Sequence, residues 1–216
     1  MAINHFVLFL LIFKTGFSAE ISKFVQTGAS VQLDLQTQQL PEFDDLFWLN
    51  DKSENMVKYY NESKKTKTHP AYQNRIEFNE TNFSLTLKNM QKADSGRYTA
   101  KISGNSNKEV VYRVTVIDAV EAPVLTVKSN WSSSELCSFT CSGRDINISS
   151  TYNSGCSEEE VTSADDHTLR LNYNTTFIMC NYSNPVSWKT YVKTVDELCT
   201  VKTHAVHGNP PIIKNT

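Results

Sequence analysis

No cysteine occurs before position 137. Whatever the preceding residues fold into has no disulfide and must be stable by packing alone. No apolar run approaches the roughly 20 residues a helix needs to cross a bilayer; Phe6–Phe13, FVLFLLIF, is far too short. Neither sign of charge prevails, with 21 Lys and Arg against 23 Asp and Glu. That balance gives no electrostatic basis for holding a polyanion, so no nucleic acid is expected as a partner. Catalytic signatures are missing too: there is no G-x-S-x-G, H-E-x-x-H, phosphate-binding P-loop or C-x-x-C. Without them the chain is expected to be no enzyme and to need no metal or other cofactor.

The short apolar run is followed by the small residues of GFSAE. That is the pattern of a secretory leader, with cleavage after Ser18, so residues 1–18 are read as a signal peptide. Secretion places the chain in an oxidising compartment, where cysteines pair rather than bind zinc. It also gives meaning to seven N-x-S/T sequons, at Asn61, Asn79, Asn82, Asn130, Asn147, Asn174 and Asn181. Seven acceptors in so short a chain describe a glycan-coated ectodomain. After Cys199 the stretch TVKTHAVHGNPPIIKNT has adjacent prolines and no apolar run beyond Ile212-Ile213. It supplies neither a membrane span nor a lipid-anchor signal. Residues 201–216 are expected to be a flexible tail and the chain to be secreted, or displayed at a cell surface if it is a truncated form of an anchored protein.

All five cysteines lie in the second half, which in 216 residues argues for two domains of ordinary size. From 19 to 118, short alternating runs between turn clusters indicate an all-β sandwich. In GASVQLDL, Val31, Leu33 and Leu35 share one face; in FSLTL, Phe83, Leu85 and Leu87 do the same. LFWLN, MVKYY, RIEF, RYTAKI and VVYRVTVI supply further strands. Asp94-Ser95-Gly96-Arg97-Tyr98 matches the opening of the sixth strand of an immunoglobulin variable-type domain, with Tyr98 as the tyrosine corner. Two residues after that tyrosine a cysteine would anchor the bridge between the sheets, and Ala100 stands there. The partner position has changed as well, since G-x-S-V-x-L-x-Cys reads here as Gly28 to Leu35. Trp48 follows Leu35 by 13 residues, and Arg75 is placed to meet Asp94. A leucine and an alanine can fill the space of two sulfurs, a volume exchange that cores tolerate. The staple is lost and the variable-type sandwich remains.

Residues 119–123, with Pro123, are read as a linker. Residues 124–200 are read as a smaller, constant-type sandwich built on VLTV, LCSFTCS, NISSTY, TLRLNY, TFIMCNY and KTYVKTV. Cys137 and Cys141 are four apart in a strand, so both face one way with Phe139 between them. Cys180 lies in the middle of the sixth strand and Cys199 at the far end of the seventh. In an immunoglobulin sandwich the second strand runs alongside the sixth in the same direction and opposite to the seventh, which gives Cys137–Cys199 and Cys141–Cys180. Cys156, in NSGCSEEE, is left as a buried free thiol, an intermolecular link or the remnant of a lost pair.

A variable-type domain without its disulfide followed by a constant-type domain with two resembles the signalling lymphocyte activation molecule (SLAM) family of leukocyte receptors. The residues that carry the resemblance are LFWLNDKSENMVKYY and ADSGRYTAKI in the first domain, and LCSFTC, CNYSNPVSW and Cys199 in the second. They span nearly all of the mature chain. The likeness is to short, tail-less or lipid-anchored members that act as ligands for other members. The chain departs from them in having no tryptophan in the third strand of the second domain and no anchor. The resemblance implies an immune-cell adhesion and recognition ectodomain. It would bind a leukocyte surface receptor of the same family, homophilically or heterophilically and with weak self-association, through the exposed sheet of the first domain. A soluble decoy blocking such a receptor is the alternative, and a secreted hydrolase or inhibitor the more distant one.

Strand alternation puts Trp48, Tyr98, Ala100, Val114 and Val116 inward on that sheet. It puts Phe47, Leu49, Lys58, Tyr60, Thr99, Lys101, Val111 and Arg113 outward. Their mixture of apolar and basic groups suits a modest, electrostatically selective contact. A register slip of one residue would turn all of them over. Other clusters are read as solvated charge: Glu158-Glu159-Glu160 and Asp165-Asp166 in loops, KKTKTH (Lys64–His69), and His204 and His207 in the tail.

Overall fold

A computed structural model of the chain describes residues 20–36, 42–105, 107–129, 137–152 and 155–199. The leader, Asn130, His204, His207 and the tail lie outside them. The chain divides into two units between Ile117 and Asp118. Among the described residues no helix is long and apolar enough to cross a membrane.

The described strands of the first unit are β1 (Ile21–Gln26), β2 (Val31–Leu33), β3 (Phe43–Leu49), β4 (Asn55–Tyr60), β5 (Lys65–Thr68), β6 (Ile76–Phe78), β7 (Leu85–Leu87), β8 (Gly96–Gly104) and β9 (Lys108–Ile117). One sheet has the order β1-β9-β8-β3-β4-β5 and the other β2-β7-β6. β1 runs parallel to β9. Period-two alternation sends one set of side chains from each sheet into a shared core: Val31, Leu33 and Leu35 from one side, and Leu46, Trp48, Ala100, Tyr112 and Val114 from the other. Leu35 and Ala100 are both buried, so hydrocarbon occupies the core where a bridge would stand. Trp48 is fully enclosed, and its indole N–H donates to the Phe83 carbonyl at 3.0 Å. KKTKTH, expected as a solvated loop, contributes the edge strand β5, with Lys58 of β4 opposite Lys67. Its polar residues alternate on both faces, so it carries no apolar period.

The tyrosine corner is closed: Tyr98 donates its hydroxyl proton to the Asp94 carbonyl at 2.7 Å, and burial pushes its phenol up to about 12. The Asp94 carboxylate accepts from Arg75 at 2.5 and 3.1 Å and from the Gln91 backbone N–H at 2.7 Å. Burial pushes the Asp94 carboxyl up, but the Arg75 and Gln91 hydrogen bonds outweigh it and hold the group below the ordinary aspartate range. A folded-state pKa held low stabilises the fold above the unfolded value, and that stability is lost as pH falls through the folded value. Urea midpoints of the first unit should therefore fall as pH drops below about 4. Asp94→Asn should lower the midpoint at neutral pH and flatten this acid limb; an unchanged limb would mean that the pair does not stabilise the fold.

The second unit contains β10 (Val124–Ser129), β11 (Cys137–Ser142), β12 (Asn147–Tyr152), β13 (Ser157–Thr162), β14 (Thr168–Tyr173), β15 (Phe177–Asn184), β16 (Ser187–Thr194) and the helical turn α1 (Val195–Cys199). Cys137 pairs with Cys199 and Cys141 with Cys180, as expected. Phe139 lies between the first two in the core with Leu169, Leu171 and Ile178. Val120, within the stretch read as linker, belongs to this core and donates its N–H to Ser187 Oγ at 2.7 Å.

Three details of this unit differ from expectation. Glu158-Glu159-Glu160 lie on β13, an edge strand paired with β14, where Arg170 meets Glu158 and Glu160. Cys199 ends α1 rather than a strand, because Thr194 and Glu197 form reciprocal capping bonds that start a helical turn. The sheets are β10-β11-β12 and β13-β14-β15-β16, each built from sequence neighbours, whereas the constant-type layout would place the third strand with the sixth and seventh. A tight turn in which the Gly143 N–H reaches the Ile146 carbonyl at 2.8 Å folds β12 back beside β11. Cys156 is unpaired and exposed, which removes the buried-thiol alternative.

Candidate recognition face of the first unit

Register places the predicted outward residues on one surface. Across β4, β3 and β8, Lys58, Phe47 and Lys101 stand in a row, with Glu109 of β9 next to Lys101. A second row runs Leu49, Thr99 and Val111. Arg113 pairs with Arg97, and Tyr60 with Asp45. The inward set, Trp48, Tyr98, Ala100, Val114 and Val116, is buried. Thr99 keeps its outward register but is only 7% exposed, being flanked by Leu49 and Val111 of the neighbouring strands. It underlies the surface rather than forming it.

The charged groups are held rather than loose. Lys58 Nζ lies 4.8 Å from the centre of the Phe47 ring and 4.5 Å from that of Tyr60, and 3.6 Å from Asp45. Cation–π attraction plus an ion pair orders a lysine that would otherwise sample many rotamers. Glu20 accepts from Arg97 at 3.4 Å and from Arg113 at 3.1 Å, while both guanidinium groups remain about half exposed. Lys101 pairs with Glu109 at 4.0 Å. Leu49, Thr99, Lys101, Glu109, Arg97 and Arg113 help line a shallow depression of about 360 Å³. Ion pairs this exposed contribute little stability. They set a pattern of charge around aromatic and aliphatic side chains.

Asp45, Arg97 and Glu109 were missed from the sequence. Each continues a run already read as outward by two positions (Asp45-Phe47-Leu49, Arg97-Thr99-Lys101, Glu109-Val111-Arg113), so extending the alternation would have found them. Sequon placement adds a boundary. Asn79 and Asn82 lie between β6 and β7 of the other sheet, and Asn61 just beyond the end of β4; none lies on β3, β8 or β9. Among the described residues no three metal-binding side chains come together.

A two-sheet sandwich with a parallel edge pair, a closed tyrosine corner and an open, charge-patterned sheet defines an immunoglobulin-type recognition module, a receptor fold that is ordinarily non-enzymatic. Residues 19–117 match the immunoglobulin V-set domain. The chain is a homologue of SLAM family member 5 of Mus musculus, 24% identical over 178 residues that cover 80% of this chain and 54% of that protein. It thus spans about half the length of that relative. The family resemblance carried by LFWLNDKSENMVKYY and ADSGRYTAKI is borne out. Among solved structures, the CD2-binding domain of CD58 (lymphocyte function-associated antigen 3) matches with a TM-score of 0.54 and 15% identity, over 82% of this chain and 98% of that one. Murine CEACAM1b matches with 0.52 and 21%, over 79% and 94%. Both share the fold.

Proposed function

We propose that this chain recognises a leukocyte receptor of its own family through the outer face of β3, β4, β8 and β9. The observation that carries it is the arrangement of that face: aromatic and aliphatic side chains ringed by clamped lysines and arginines, with no glycan acceptor on any of these four strands. Such a surface gives hot-spot residues in Phe47 and Tyr60 and a charge pattern that selects partners. The CD2-binding domain of CD58 offers a precedent in fold for recognition by a sandwich of this kind. An extracellular setting is supported by two disulfides in the second unit and by the sequons.

Binding of the full secreted chain to cells displaying individual family ectodomains, its own included, tests this. Phe47→Ala and Lys101→Glu should each weaken binding roughly tenfold or more while leaving the fold intact, since both side chains point outward. Lys193→Glu, on the second unit, should change nothing. Binding that survives both face variants would overturn the proposal.

A further inference from the structure

The outer face of the β13-β14-β15-β16 sheet carries a feature that lies beyond the recognition function. Trp188 is 69% exposed, more than any other large hydrophobic residue among those described, and Val192 on the same strand is 51% exposed. Register puts both on the outer face, Trp188 opposite Ser183 and Val192 opposite Met179. Between these two rows stands Asn181, opposite Thr190, with its amide nitrogen donating to Thr190 Oγ at 2.9 Å. Asn181-Tyr182-Ser183 is a sequon. An acceptor asparagine is thus flanked diagonally, within side-chain reach, by an exposed indole on one side and an exposed valine on the other.

We propose that Asn181 carries an N-linked glycan whose first N-acetylglucosamine units lie along β16 against Trp188 and Val192. Attachment joins Asn181 Nδ2 to the anomeric carbon of an oligosaccharide as the bond from that carbon to a lipid pyrophosphate breaks. The pyrophosphate leaves with the bonding pair, and the proton lost from Nδ2 passes to a base of the transferring enzyme. One N–H stays on Nδ2 and keeps its bond to Thr190. A pyranose has C–H groups on its faces that suit the electron-rich face of an indole, and hydroxyls at its rim that suit Thr190 and Arg170, the latter opposite Asn181 on β14. The sugar covers apolar surface that a secreted chain would otherwise show to water.

Hydroxyl-radical footprinting of the full chain secreted from glycosylating cells, with site-resolved mass spectrometry, tests this. Asn181 should be occupied, and Trp188 should oxidise several-fold more slowly in the glycosylated protein than in Asn181→Gln, while buried Trp48 stays unoxidised in both. Ser183→Ala, which abolishes the sequon and keeps the asparagine, should match Asn181→Gln and serves if that variant is not secreted. Enzymatic release of the glycan from the folded wild-type protein should expose Trp188 in the same way. An unmodified Asn181 in the secreted protein, or an occupied one with Trp188 oxidised equally before and after release, would overturn the proposal.

Discussion

Replacing Trp48 by alanine should remove a large part of the stability of the first unit and sharply lower its urea midpoint. The indole is fully enclosed, its ring centre lies 6.4 Å from that of Tyr112, and its N–H is the donor to the Phe83 carbonyl. Truncating a buried aromatic of this size costs about 3–5 kcal/mol through lost transfer energy and the cavity left behind. A domain of this kind has only about 5–15 kcal/mol in total, and this one has no disulfide to limit its unfolded state. Trp48→Phe should fall between, since most of the packing survives but the Phe83 carbonyl loses its donor at about 1–3 kcal/mol. Urea denaturation followed by circular dichroism measures both. A near-native midpoint for Trp48→Ala would show that the core does not depend on this residue.

Reduction should act on the other half of the molecule. Cys137–Cys199 closes a loop of 62 residues and Cys141–Cys180 one of 39. In the chain-entropy account each contributes about 4 kcal/mol. Losing both removes stability comparable to that of an entire small domain. Calorimetry with a mild reductant should therefore abolish or sharply lower the transition of the second unit and leave that of the cysteine-free first unit in place. Equal falls in both transitions would contradict the separate stabilities inferred for the two units.

What could be read from the sequence followed the presence of an apolar period. Val31-Leu33, Leu85-Leu87 and Tyr98-Ala100 alternate with polar neighbours because one face of each strand is buried, and they and Trp48 point where alternation put them. Two edge strands gave no such signal. KTKT of β5 and SEEEVT of β13 meet water on both faces, so their polarity resembled that of loops. The burial of Thr99 was not legible either, because its cover comes from Leu49 and Val111, distant in sequence and adjacent only once the sheet forms. In the second unit the cysteine positions sufficed for the pairing, since bridges link residues across the sandwich. The order of strands within each sheet depends on a four-residue turn at Gly143 that no periodicity records.

Glu20 stands one residue before β1 and accepts from two arginines of the candidate face. With leader removal after Ser18 it would be the second residue of the mature protein. A protease cutting two residues later would delete it, raising the net charge of that face by one and releasing both guanidinium groups to reach outward. Trimming at one end of the chain would then retune the electrostatics around two arginines 77 and 93 residues further along, so heterogeneity at the N-terminus would change the charge pattern of the proposed binding face.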